Sequence, residues 1–498
     1  MSSFRKGFLV LSLGALAGKF IALLREVVFA SAFGTSDIAT GFRVAQTASV
    51  VPANLVSGDL LSAAFAPAYA RESRRDPASG RAMLWGYSIW LTFTLTFVAV
   101  GVYCYRDVIV NVIVPGSSIA TTIIAQEILG VLCWSIPLFG LSAVQAYALG
   151  VHNIYLMTSI RPLIQSLGLL GGTLTAISTG WIQWLSLGFI AAWIAYVAMC
   201  STALIRNGYL GLPQRASITQ GWRFIVTGVR NIAPLLLLPV ALQTSIVLER
   251  VFSSFGPSGL VAAVDYARTI SESVMSLIAV PLGVLGLTQL SGIQGPDYRR
   301  RVAKMCDFVV VVMMPVSAVL VVGSGAIVSL IYARGNFDSA ATNLVSGVLV
   351  GLSIGLMFQV LGYSLSRALT AAGRNRSVLL YTLIAIAGQI AVQGVGVQHF
   401  GPMAIGLGPS VFGLLLSVGC AFALGELKRV ARRIATLLPG CIATLIVVLP
   451  DLGPYAAIAL VALVWAINIA LFPSLRSTLW DQVRPILSKR ISRQTPAA

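Results

Sequence analysis

The stretch GTSDIATGFRVAQT, Gly34 to Thr47, returns in outline 222 residues later as GPSGLVAAVDYART, Gly256 to Thr269. Gly34, Ser36, Ala45 and Thr47 fall on Gly256, Ser258, Ala267 and Thr269. Just upstream, LLREVVFASAFG faces VLERVFSSFG across a two-residue gap, so Arg25-Glu26 stands opposite Glu249-Arg250. Farther along, QAYALGVHN (145–153) faces RALTAAGRN (367–375) at the same offset. Two separate matches at one offset read as an internal repeat.

The repeat is written in membrane-type sequence. The chain is 57% hydrophobic and 10% charged, with a mean hydropathy of +0.88. Runs of roughly 20 apolar residues predict transmembrane helices, which satisfy their own backbone hydrogen bonds as a bilayer requires. Spans are predicted near 7–32, 38–69, 83–105, 120–149, 156–179, 183–205, 231–253, 260–291, 304–331, 342–370, 377–397, 402–425, 434–450 and 453–473. The expected fold is therefore an all-α polytopic membrane protein of about 14 transmembrane helices. It comprises a six-helix bundle at 1–225, a second at 226–430, two further helices at 431–475 and a basic tail at 476–498. Six spans per copy begin and end on one side, so the repeats are parallel.

The formal charge of +18 could suggest nucleic acid, but its distribution points to topology instead. Assigning connections alternately to two sides places 26 of the 34 basic residues on one side and two, Arg106 and Arg334, on the other. The positive-inside rule then puts both termini in the cytoplasm. The start RKGFLVLSLGALAGK resembles a signal peptide, with Ala15-Leu16-Ala17 as a cleavage site, but the apolar pattern continues past Lys19 and favours a retained first span. Cys104, Cys133, Cys200, Cys306, Cys420 and Cys441 are scattered without metal-ligand or disulfide spacing, and no metal or bound cofactor is expected.

With Arg161 and Lys304, at the starts of their spans, counted among the connections, six cations lie inside predicted spans: Lys19, Arg25, Arg43, Arg250, Arg268 and Arg367. Charge at the bilayer centre costs a few kcal/mol on insertion scales and marks a functional path. Lys19 and Glu26, seven residues apart, share a helix face. Asp265, Arg268 and Glu272 form a stripe on the eighth span, and Gln359, Tyr363, Ser366, Arg367 and Thr370 form another on the tenth. A weaker polar face on the second span carries Arg43, Gln46, Thr47, Asn54 and Ser57. Such faces call for a shared hydrated cavity. Lys19, Arg25, Arg43, Arg268 and Arg367 are candidate substrate ligands; Glu26, Asp59, Glu249, Asp265 and Glu272 are candidate balancing acids or sites for a coupling cation or proton. Glu249 and Arg250 also read as a structural pair that locks helices. His152 and His399 fall in connections and are expected to be solvated.

Several segments resemble the lipid II flippase family (MurJ/MviN) of the multidrug/oligosaccharidyl-lipid/polysaccharide exporter superfamily. They are REVVFASAFG, NLVSGDLLSAAFAPAYARE, YARTISESVMSLIAVPLGVLGLTQLS (266–291) and LIYARGNFDSAA (330–341). The resemblance implies a fourteen-helix flippase whose cavity cations meet a pyrophosphate. Carried over by position, Lys19 stands for a family arginine, Arg25 matches one and Glu26 replaces an aspartate. Ala53 occupies a cavity-arginine position, Gly58-Asp59 replaces a Glu-Gly pair, and Arg268-Thr269 replaces an Asp-Arg pair. The shifted cations favour a polyprenyl-pyrophosphate-linked repeat unit of an exopolysaccharide or O-antigen as cargo over lipid II, with a polysaccharide polymerase and export machinery as partners. A drug–cation antiporter would prefer acids in its cavity, and an enzyme would need a nucleophile, metal cluster or P-loop that the sequence lacks. A scaffold gives no reason to keep buried charge. The expectation is a transporter of the bacterial inner membrane.

Overall fold

The computed structural model describes residues 2–57, 65–211, 237–290, 295–448 and 453–472. Every regular element among them is helical. In the first copy these are α1 (Ser2–Phe33), α2 (Asp37–Ser57), α3 (Ala66–Arg75), α4 (Pro77–Cys104), α5 (Arg106–Ile113), α6 (Ile119–Leu132), α7 (Ser135–Val151), α8 (Leu156–Thr179) and α9 (Trp184–Arg206). In the second they are α10 (Leu237–Ser254), α11 (Leu260–Leu290), α12 (Pro296–Tyr332), α13 (Ser339–Ile354), α14 (Leu356–Ala371), α15 (Asn375–Phe400) and α16 (Pro402–Leu424). Two more helices follow, α17 (Leu427–Val448) and α18 (Pro454–Leu471).

The fourth and tenth predicted spans are each broken. α6 and α7 meet at 47°, α13 and α14 at 48°. The breaks, at Cys133 and Gly355, are 222 residues apart, which is the repeat offset read from the sequence. Their chemistry differs. Pro137 has no N–H for the Cys133 carbonyl, and its ring crowds that carbonyl; Ile136 takes the bond instead at 3.0 Å. In the second copy Gln359 stands at the proline position and does donate to Gly355 O, at 2.9 Å. There the bend is held from α16: Ser410 Oγ accepts the Gly355 N–H at 2.9 Å and lies 2.6 Å from Gly351 O. A Cβ on Gly355 would sit 2.4 Å from Ser410 Cβ, so only glycine admits this contact. Buried backbone groups freed by a bend need such partners.

Among the described residues, six helices are long and apolar enough to cross a membrane by length and composition, or up to eight counting each bent pair as one span. The charge-bearing helices α1, α2, α10 and α11 lie outside that set. With each bent pair as one span, and with α3 and α5 as short connecting helices, the elements fill the fourteen predicted positions. The second predicted span was drawn as 38–69; α2 covers it to Ser57 and the charged helix α3 begins at Ala66, and residues 58–64 lie outside the described residues.

By internal packing the chain forms two compact units, Met1–Asp265 with Arg334–Ala341, and Tyr266–Ala333 with Thr342–Ala498. In the first, α1 packs on α8, α2 on α6, and α4 and α9 on α7. α8 and α9 approach through glycine: a Cβ on Gly188 would lie 2.5 Å from Gly168 O. In the second, α15 and α14 pack on α16, and α12 packs against α14, α17 and α18.

Candidate functional site

The site grows from two helical hairpins in the first unit. α1 turns into α2 at Gly34, whose φ of +51° suits glycine, and a Cβ there would meet Asn336 O at 2.4 Å. Glu26 lies eight residues before this turn and Arg43 nine after it, so the two side chains reach similar depth. α10 turns into the start of α11 in the same way, with Arg250 six residues before Gly256 and Asp265 nine after.

Arg25 and Arg43 each donate to one oxygen of the Glu26 carboxylate. Arg43 Nε lies 3.6 Å from Asp265 Oδ2. The other oxygen of Asp265 accepts from Arg250 Nη2 at 2.6 Å. Arg250 also donates from Nη1 to Val261 O at 3.1 Å and from Nε to Thr47 Oγ1 at 3.3 Å. Thr47 in turn donates to Arg43 O at 2.9 Å, and the Arg43 guanidinium lies 4.9 Å from the Phe29 ring centre. The result is an alternating chain, Arg25–Glu26–Arg43–Asp265–Arg250.

Glu26 is 1% exposed, and Arg43 and Arg250 are 5% exposed. Moving a single ion into such surroundings carries a penalty of several kcal/mol, which alternation of sign offsets. The chain thus alternates three guanidiniums with two carboxylates. Arginine forks suit phosphate oxygens, which they engage two at a time.

Among the other candidates, Lys19 is exposed on α1, and Glu249 is 1% exposed on α10. Arg268 is half-buried on α11 and Glu272 exposed; both belong to the second unit. Arg367, also in the second unit, is exposed, with its guanidinium 5.1 Å from the Tyr363 ring centre. Asp59 lies outside the described residues. The sequence suggested Glu249 beside Arg250, yet the Arg250 guanidinium is taken up by Asp265, the Val261 carbonyl and Thr47.

Sequence reasoning gave no role to Asp307. It is 5% exposed on α12 and accepts from Arg429 at 2.7 Å and Arg433 at 3.2 Å. The available signal was a lone acid following a run of four bases, 299–304. Arg161, assigned to a connection, sits on α8 with its guanidinium 4.6 Å from the Phe139 ring centre and 5.1 Å from that of Trp193. His152 was expected to be solvated. Instead it stacks on Tyr209 with ring centres 3.5 Å apart and lies 3.1 Å from Tyr69 Oη, and burial lowers its pKa.

Residues 29–480 match the family model described as lipid II flippase MurJ, and the chain belongs to that family. The probable lipid II flippase MurJ of Rhizobium tropici is 24% identical over 455 residues, covering 87% of this chain and 84% of that protein. The lipid II flippase MurJ of Thermosipho africanus is 21% identical over 409 residues, covering 82% and 83%. A lipid II flippase MurJ solved in an inward closed conformation superposes with a TM-score of 0.81 at 19% identity, covering 95% of this chain and 99% of that one. An inward-facing multidrug resistance MATE transporter of the MOP superfamily follows with a TM-score of 0.66 at 12% identity, covering 87% and 99%. The fold is thus a MurJ- and MATE-like one of about fourteen spans. The chain is a multi-pass membrane protein of a flippase family, a transporter rather than a catalyst.

Proposed function

We propose that the chain moves a polyprenyl-diphosphate-linked saccharide from the cytoplasmic to the outer leaflet of a bacterial inner membrane, with both termini in the cytoplasm, and that the cargo is lipid II. Family membership across residues 29–480 supports lipid II ahead of the exopolysaccharide cargo that the sequence favoured. The observation that carries the mechanism is the buried chain of three arginines and two acids. In the resting state the acids hold the arginines. An arriving diphosphate competes for Arg25 and Arg43, with Lys19 as a further cationic contact in the same unit, while the prenyl chain stays in lipid; Arg268 and Arg367 are candidate cationic contacts within the second unit. A carboxylate abandoned by its arginine in low dielectric takes up a proton or a cation. Glu26 and Asp265 thereby link cargo capture to a coupling ion, with Asp59, Glu249 and Glu272 as the remaining candidate acids. The halves then rock to release the head group on the other side.

A second reading, a repeat unit destined for a polymerase and export machinery, is favoured by Ala53. This alanine is 1% exposed at a position where the resemblance expects a cavity arginine. The deciding experiment is mass spectrometry of lipids from cells depleted of the protein. Accumulated lipid II with arrested wall growth supports the first reading, and an accumulated exopolysaccharide or O-antigen unit supports the second. Accumulation of neither overturns lipid-linked cargo and directs attention to drug efflux. Arg25→Ala or Arg268→Ala should abolish flipping in a vesicle assay while the protein still inserts.

A further inference from the structure

The second unit carries a cationic cluster that the transport reading leaves unused. α12 runs from Pro296 to Tyr332. From Asp307 onward it is already about 38 Å long at 1.5 Å per residue, enough to cross a hydrocarbon core of about 30 Å. Its opening turns, with Arg299, Arg300, Arg301 and Lys304, therefore reach the headgroup layer. α17 opens with Lys428, Arg429, Arg432 and Arg433. Two such basic helix ends repel each other unless something joins them.

Asp307 joins them. One oxygen accepts from Arg429 Nη2 at 2.7 Å and the other from Arg433 Nε at 3.2 Å. The acid is buried, and its two bonds fix α17 against α12 at one depth. Nearby, Tyr298 Oη donates to Ala368 O at 2.8 Å and pins the first turn of α12. Arg299, Arg300, Lys428 and Arg432 are exposed, and none has an ion-pair partner among the described residues. The arrangement is a buried acid that joins two helix starts carrying exposed cations.

We propose that the joined basic ends of α12 and α17 form a binding site for the headgroups of anionic phospholipids. Basic pockets between transmembrane helices suit such headgroups, and the attraction decays within a Debye length of about 8 Å at physiological salt. The cluster belongs to the second compact unit and the Arg25–Arg250 chain to the first, so it remains testable if the transport reading fails.

The test uses the full chain purified in detergent, titrated with phosphatidylglycerol or phosphatidylcholine, with the thermal midpoint and retained lipid (by native mass spectrometry) as readouts. Phosphatidylglycerol should raise the midpoint by at least about 2 °C and remain bound, and 0.5 M salt, an order-of-magnitude choice above physiological strength, should largely remove the effect. Phosphatidylcholine should do neither. The combined variant Arg299→Ala, Arg300→Ala, Lys428→Ala and Arg432→Ala should keep the lipid-free midpoint and lose the selectivity. Asp307→Asn should weaken selectivity although every base remains. Removing four bases elsewhere, by Arg71→Ala, Arg74→Ala, Arg75→Ala and Arg81→Ala, should leave it intact. Equal stabilisation by the two lipids, equal loss in the control variant, or the same shift from soluble inorganic diphosphate would each overturn the proposal.

Discussion

The hairpins α1–α2 and α10–α11 are copies of one repeat, yet they hold their charges in opposite order. In the first, the acid is on the leading helix and the base on the following one: Glu26 with Arg43. In the second, the base leads and the acid follows: Arg250 with Asp265. Arg43 and Asp265 occupy the same repeat position, and they face each other at 3.6 Å. Had both copies kept the same residue, like charges would meet there. A symmetric homodimer cannot escape that at a position on its two-fold axis, where a residue meets its own copy. A tandem repeat in one chain can diverge, and inverting one pair turns the repulsion into attraction.

The largest expected effect comes from removing the acid that serves two arginines. Glu26→Ala leaves Arg25 and Arg43 without a shared carboxylate and should cost about 3–5 kcal/mol, read as lost detergent-solubilised stability. A loss below about 1 kcal/mol, a size usual for exposed pairs, would mean that water reaches the chain. Next, exchanging the facing residues, Arg43→Asp with Asp265→Arg, should fail to restore stability. It sets an aspartate beside Glu26 and an arginine beside Arg250. Recovery to wild-type stability would show that the contact between copies dominates and that the pairs within each hairpin matter little. A double-mutant cycle on Arg250→Ala and Asp265→Asn should give a coupling of roughly 1–3 kcal/mol.

Asp307→Asn tests the corresponding feature of the second unit and should cost less, about 1–3 kcal/mol. Arg429 is 50% exposed and can turn to water when its partner is lost, an option that Arg43 lacks. The smallest effect concerns His152. Burial favours its neutral form in the folded chain, so the unfolded state binds more protons in the window below its ordinary value of about 6.5. Stability should be complete above that pH and fall as pH drops toward the lower folded pKa. His152→Gln should flatten the slope; an unchanged pH profile would show that the Tyr209 stack accepts the imidazolium.

Much of this was readable in order along the chain. Apolar runs located the spans, because helices in lipid must be long and apolar to satisfy their backbone. The 222-residue offset foretold that two breaks would fall in register, although not that the spans would break, since Pro137 explains only one. The membership of the charged chain was partly legible: Arg25, Glu26, Arg43, Asp265 and Arg250 all stood out as ions within apolar sequence.

By itself the sequence determined the class: an apolar, internally repeated chain with its surplus cations on one side and a few charges kept inside spans. The tertiary structure decided partners. Arg250 goes to Asp265 rather than to the acid beside it, Asp307 gathers arginines more than 120 residues away, and Ser410 holds a bend in another span. Hydropathy is a property of each residue and its neighbours, so it survives in one dimension. Ion pairing depends on which helices reach the same depth and which faces they turn to each other, and packing alone sets that.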